Sequence, residues 1–241
     1  MATVGFEFEF ATSMSDQQVT QKLTEYGIKV ENGPGYSTWQ LDFDVSIQTR
    51  KHHSYTNSCE LISPPMRLSK ALKMLDAVLK FMRENPVETN TTTGLHINMD
   101  IGSKATKRID PAKLVTLVDD ESVARRYKRS KQMYCLPHNS KIRQQARYYN
   151  NLKNKPCKLI DYIKQWGLTS AQLEEKYSAI NFGKQSDDGF LEFRMIGNTD
   201  YQYRFREIVK DVRHFETCMR KAADKHAGNR AVVRRLNKMA A

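Results

Sequence analysis

No stretch of this 241-residue chain approaches the roughly 20 consecutive apolar residues that a membrane span needs, so no membrane partner is expected. Cysteine is sparse: Cys59, Cys135, Cys157 and Cys218 lie far apart, with no Cys-x-x-Cys spacing. That pattern argues against zinc and fits reduced thiols in a cytoplasmic protein. Internal repeats and low-complexity tracts are absent, and the first residues enter a strand pattern at once, which leaves no signal peptide to expect. Acidic residues are also in deficit: 27 Asp and Glu face 39 Lys and Arg, a net charge of +12. What is present is 39% hydrophobic and 10% aromatic residues, enough for a sizeable core in one domain, or one domain with a lobe.

The charge is unevenly spread. Residues 1–103 carry 9 basic and 12 acidic side chains, residues 104–164 carry 16 and 5, residues 165–202 carry 3 and 6, and residues 203–241 carry 11 and 4. The acidic parts are the expected scaffold and site. The basic parts are expected to hold something anionic, nucleic acid or an acidic peptide, or else to be solvated surface.

The chain is organised around Gly5-Phe6-Glu7-Phe8-Glu9-Phe10. Read with period two, the three phenylalanines point to one face of a strand, and Glu7 and Glu9 to the other, roughly 6.5–7 Å apart. Buried carboxylates need partners, and a hard divalent cation is one. A solvated acidic face on an edge strand is the alternative.

Further along, Ser15 and Asp16 open a short helix that Gly27 ends, and Asn32-Gly33-Pro34-Gly35 reads as a turn. Ser37–Leu41 and Asp44–Thr49 read as strands, the second presenting Asp44 and Ser46 on one face. Asn57–Ser63 is a third strand, stopped by Pro64-Pro65, with Glu60 alone inside its apolar run. Leu68, Leu72, Leu75, Leu79 and Met82 mark a helix over about 67–83. Gly94–Asp100 is a strand with Leu95, Ile97 and Met99 on one face and His96, Asn98 and Asp100 on the other. Residues 104–164 read as a basic helical insertion in which Tyr127, Tyr134, Tyr148 and Tyr149 interleave with basic residues, as single-stranded nucleic acid or a nucleotide would require. Ser178–Phe182 and Phe190–Met195 form a hairpin around Asp187-Asp188-Gly189, with Glu192 and Arg194 on one face. A long helix runs from Tyr201 to about Lys225, and a basic terminal helix follows the break at residues 226–229.

Several strands thus present Glu7, Glu9, Asp44, Glu60, His96, Asn98, Glu192 and Arg194 opposite an apolar face. Oxygen and imidazole ligands in that number can hold two divalent ions against a triphosphate, and Arg194 would add a fixed cation. The expected fold class is α+β, an antiparallel β-sheet lining a cleft with helices packed outside.

In this order, Gly5-x-Glu7-x-Glu9, Trp39 with Asp44-x-Ser46, Glu60-Leu61-Ile62-Ser63-Pro64-Pro65, Gly94-Leu95-His96-Ile97-Asn98, Lys176-Tyr177-Ser178-Ala179-Ile180-Asn181 and Glu192-Phe193-Arg194 resemble the amidoligases over roughly residues 3–200. That family belongs to the glutamine synthetase and glutamate–cysteine ligase superfamily of carboxylate–amine ligases, often met in phages and bacteria. The resemblance implies one catalytic domain over 1–241 with a glutamine synthetase-like sheet, in the cytoplasm, or that of the host were the chain phage-encoded. It implies ATP and Mg2+ (or Mn2+) as cofactors. ATP would phosphorylate a carboxylate substrate, and an amine would attack the acyl phosphate to form an amide. Glu7, His96 and Glu192 would hold an ion near the ATP phosphates, and Glu9 and Glu60 a second near the acyl phosphate. Asp44 would support a ligand or deprotonate the amine. Arg194 would bind the transferring phosphoryl group, and Asn98 and Lys176 would contact nucleotide or substrate. Residues 104–164 match poorly apart from Arg129, a nucleotide-binding candidate, and Tyr134-Cys135. Two other functions fit clustered carboxylates or basic surface: a two-metal nuclease or nucleotidyl transferase, and a non-catalytic nucleic-acid-binding protein.

Overall fold

The computed structural model describes residues 1–31, 37–49, 57–133, 135–167 and 177–241. It is an α+β chain with an open antiparallel sheet; the described strands number eight. Close packing divides the chain into two compact units, Met1–Met99 with Ile196–Val212, and Asp100–Met195 with Arg213–Ala241.

The first unit is built on β1 (Thr3–Thr12). Alternation puts Val4, Phe6, Phe8 and Phe10 on one face, all fully buried. That face is covered by α2 (Leu68–Glu84), whose Ala71, Leu75, Val78, Leu79, Phe81 and Met82 form its buried stripe. Phe10 meets Phe81 edge-on at 6.1 Å, and Phe8 lies 6.5 Å from Trp39. The short helix α1 (Asp16–Glu25) adds Val19 and Leu23. Its start was legible: Ser15 and Gln18 close a capping box, and Gly27 follows in the left-handed region at φ 75°.

Three strands extend this sheet in the order β2 (Gln40–Phe43), β3 (Asn57–Ile62), β1, β6 (Gly94–Asp100). The two-residue strands β4 (Met66–Arg67) and β5 (Val87–Glu88) pair with the two ends of β1. Pro64 and Pro65 separate β3 from β4, since proline donates nothing to a ladder. Ser63 bridges that gap: its Oγ accepts the Phe6 N–H at 2.8 Å, and its own N–H donates to the Phe6 carbonyl at 2.8 Å.

Two local expectations fail here. The strand read as Ser37–Leu41 is shifted to Gln40–Phe43, and Asp44–Thr49 is not a strand. The Asp44 Oδ1 accepts the Ser46 N–H at 2.8 Å and the Asp44 carbonyl accepts the Ile47 N–H at 3.3 Å, so local turn bonds displace a ladder. The turn at residues 32–35 lies outside the described residues.

The second unit is mainly helical: α3 (Ser103–Thr106), α4 (Pro111–Val118), α5 (Asp120–Arg126), α6 (Asn139–Asn151) and α7 (Leu159–Tyr162), which runs on into a π turn at Ile163–Gly167. Asp110 caps α4 ahead of Pro111, as the Asp-Pro pair predicts. Next come β7 (Ile180–Asn181), α8 (Gly183–Asp187) and β8 (Leu191–Gly197). The tight hairpin expected at Asp187–Gly189 is therefore replaced by a short helix. Asn181 Oδ1 accepts the Gly183 N–H at 3.0 Å at its start, and Gly189, at φ 80°, ends it. The long helix divides into a single 3-10 turn at Tyr201–Tyr203 and α9 (Phe205–Ala223). The terminal helix α10 (Asn229–Ala240) packs on α6 and α4 through Val232 and Leu236. Its Arg235 closes the end of α4, donating to the Thr116 and Leu117 carbonyls at 2.7 and 2.9 Å and pairing with Asp119 at 2.7 Å. No described helix is long and apolar enough to cross a membrane. All four cysteines are free.

Removing the Ser63 hydroxyl leaves the buried Phe6 N–H without its acceptor. Ser63→Ala is expected to cost about 1–3 kcal/mol of stability in a denaturant titration, with an unchanged m-value.

Candidate functional site

The site-bearing face of the first unit follows from strand register. In the β1–β3 ladder Glu9 stands directly across from Glu60, and Glu7 across from Ile62. In the β2–β3 ladder Asp42 stands across from Glu60 on the other side. Cross-strand partners share a face, so Glu9, Glu60 and Asp42 form one row of carboxylates, an arrangement that repels. Asp42 is exposed, and sequence reasoning passed over it; the register of β2 was the missing signal.

β6 brings the imidazole. His96, 2% exposed, lies with Nδ1 2.9 Å from Glu7 Oε2 and Nε2 3.2 Å from Glu9 Oε1. Asn98 Nδ2 donates to Glu7 Oε1 at 2.7 Å. Its Oδ1 is buried and, among the described residues, lacks a hydrogen-bond partner. Glu9, 5% exposed, accepts the Gly94 N–H with Oε2, while its backbone carbonyl accepts the Tyr201 hydroxyl at 3.0 Å. Tyr201 was not foreseen as a support of the site.

Asp44 joins from the turn after β2, where its N–H donates to the Ser58 carbonyl of β3 at 3.3 Å. Ligand atoms of Glu7, Glu60 and His96 lie within 4.8 Å of one another, and so do those of Glu9, Asp44 and Glu60. Glu60 belongs to both groups. Its carboxyl is pushed up from 4.5 to about 7, first by burial and then by the Glu7 charge, with Glu9 and Asp44 adding and His96 opposing. A donor set of carboxylate oxygens and one imidazole, mutually repelling and flanked by an unsatisfied amide oxygen, fits a hard divalent cation.

In the second unit, Glu192 and Arg194 are 4% and 9% exposed and form an ion pair along β8. Asn181 stands across from Glu192 in the β7–β8 ladder and donates to its Oε2 at 2.8 Å. That bond fixes the Glu192 carboxylate, a role that the motif around Asn181 did not disclose. Arg129 is 2% exposed. Burial pushes the Cys135 thiol up to about 11, while Arg129 and Arg194 both act to lower it, which places both guanidinium groups near one buried sulfur. Lys176 and Tyr134 lie outside the described residues.

Fold and site together define a class: an α+β protein with a buried carboxylate–imidazole cluster on its sheet. Residues 1–201 match the model of the family described as "Putative amidoligase enzyme", and the chain belongs to that family. None of the curated proteins matches it.

The raised Glu60 carboxyl has a testable sign. The folded state holds its proton more tightly than the unfolded state does, so its contribution to stability is fully present below about pH 4.5 and is lost as pH rises through about 7. The shift corresponds to about 3 kcal/mol. In chelator, thermal unfolding should shift to lower temperature across that window, Glu60→Gln should flatten the slope, and added Mg2+ should raise the midpoint above pH 7.

Proposed function

We propose that this chain is an ATP- and divalent-metal-dependent carboxylate–amine ligase that forms an amide through an acyl phosphate. The observation that carries the reading is the pair of three-ligand groups meeting at Glu60, in a chain of the amidoligase family. Glu7, Glu60 and His96 would hold one ion, and Glu9, Asp44 and Glu60 the other. Mg2+, or Mn2+, bound there supplies positive charge that lowers the cost of bringing an anionic carboxylate to an anionic γ-phosphate.

The protein's own groups do the rest by position. The substrate carboxylate attacks the γ-phosphorus and ADP leaves. The amine nitrogen then attacks the acyl carbon, giving up a proton as phosphate departs. Asp44 stands with Glu9 and Glu60, which favours the ligand role over deprotonation of the amine. Asn98 holds Glu7 in place and offers its free Oδ1 to a donor or ion. Arg194 keeps the phosphoryl-binding role, and Arg129 the nucleotide-binding role, that the family resemblance implies, with Lys176 a nucleotide or substrate contact. For Glu192 the family resemblance implies an ion-ligand role.

The test is ADP release with Mg2+ and pooled carboxylates and amines, with the product identified by mass. Glu7→Gln should lower turnover about a hundredfold or more while its circular dichroism stays native. An active Glu7→Gln enzyme, or nucleic-acid cleavage without ATP, overturns the reading.

A further inference from the structure

The second unit holds most of the positive charge. It carries 27 Lys and Arg against 13 Asp and Glu, +14, whereas the first unit carries 12 against 14, −2. Part of that charge lines a groove that takes no part in the carboxylate cluster. A cavity of about 680 Å3 between α4, α7 and the α9–α10 corner shares Arg108 and Lys225 with a neighbouring one of about 560 Å3. It shares Lys158 and Ile160 with another of about 530 Å3 beside α6. The three cavities therefore adjoin one another through these shared lining residues. Much of its wall is built by residues 220–241, which lie beyond the span of the family match.

Its charges are unevenly satisfied. Lys113 is buried with Nζ on the Asp224 carbonyl at 2.6 Å, and Lys164 pairs with Asp110 at 2.5 Å. The Asp224 carboxylate accepts the His226 and Ala227 N–H groups at 2.7 and 2.8 Å, and among the described residues Asp161 is the lining carboxylate with no hydrogen bond or ion pair. Arg108, Lys158 and Lys225 are exposed and form no ion pair among the described residues. At the α6 end, Lys155 stands 5.5 Å over the Tyr149 ring, which packs 5.2 Å from Tyr162. Tyr148, the residue before Tyr149 on α6, is 59% exposed and lies outside the cavity lining. Asn150, Asn229 and Asn237 set amide groups along the lining.

We infer that this groove binds single-stranded nucleic acid. Unpaired cations spaced along adjoining open cavities suit a chain of phosphates, and the exposed Tyr148 ring, on the helix whose Tyr149 and Asn150 line one end, suits an unpaired base. An acidic peptide would use the cations but brings no base to stack on the ring. The inference does not depend on the ligase reading.

The experiment is fluorescence anisotropy of labelled oligothymidylate with the full-length protein. Binding is expected at low salt, weakening with salt at a log–log slope of about −0.7 per phosphate contacted. Arg108→Ala/Lys158→Ala/Lys225→Ala should lower affinity at least about tenfold and reduce the slope by about 2, with native circular dichroism. Tyr148→Ala should cost about fivefold or more with the slope unchanged. Glu7→Gln should bind as wild type, so failure of the ligase reading leaves this one standing. Three outcomes overturn it: absence of binding at low salt, binding unaffected by the triple variant, or competition by polyglutamate equal to that of unlabelled oligonucleotide.

Discussion

Glu9 and Glu60 face each other across the β1–β3 ladder, and neither can withdraw. Slipping the register by one residue would turn Phe6, Phe8 and Phe10 out of the core and the glutamates into it. The apolar face of β1 thus holds its acidic face in a repulsive arrangement. Glu7 from the same strand, Asp44 from the following turn and His96 from β6 crowd the same place, and Glu60 is the group whose protonation registers the strain. A cluster of this kind is costly to a metal-free fold, and a bound cation would relieve that cost.

The supports of the cluster are as informative as its candidate ligands. Ser63 ties the end of β3 to β1 where proline interrupts the ladder, so the motif residue next to Glu60 sets strand position. Gly94 donates its N–H to Glu9, and Tyr201 reaches the Glu9 backbone from the far end of the unit's sequence. The second unit handles charge differently. Glu192 is neutralised by Arg194 and oriented by Asn181, while the surplus of cations is left on the helical surface.

Period-two alternation was enough to read β1 and β6 and to assign each side chain its face, because one face of each is wholly apolar. Helical spacing was enough for α2, and cap residues for α1 and α4. The reading failed where short-range polar bonds compete with a ladder: Asp44 draws Ser46 and Ile47 into a turn, and Asn181 starts a helix inside what looked like a hairpin. Neither competitor leaves a mark in hydrophobic periodicity, since Asp, Asn and Ser occur in strands and turns alike.

The order of residues by itself determined the acidic and apolar faces, the helix boundaries set by caps, the candidate ligands and the concentration of positive charge towards the later part of the chain. Only the tertiary structure decided which candidate ligands meet: that Glu60 is shared by two groups, that Asp44 stands among the carboxylates and that Asn181 holds Glu192. Those are relations between residues tens to nearly a hundred positions apart, or across a pairing whose register no local pattern specifies, and they exist only once backbone hydrogen bonds have fixed which strand lies against which.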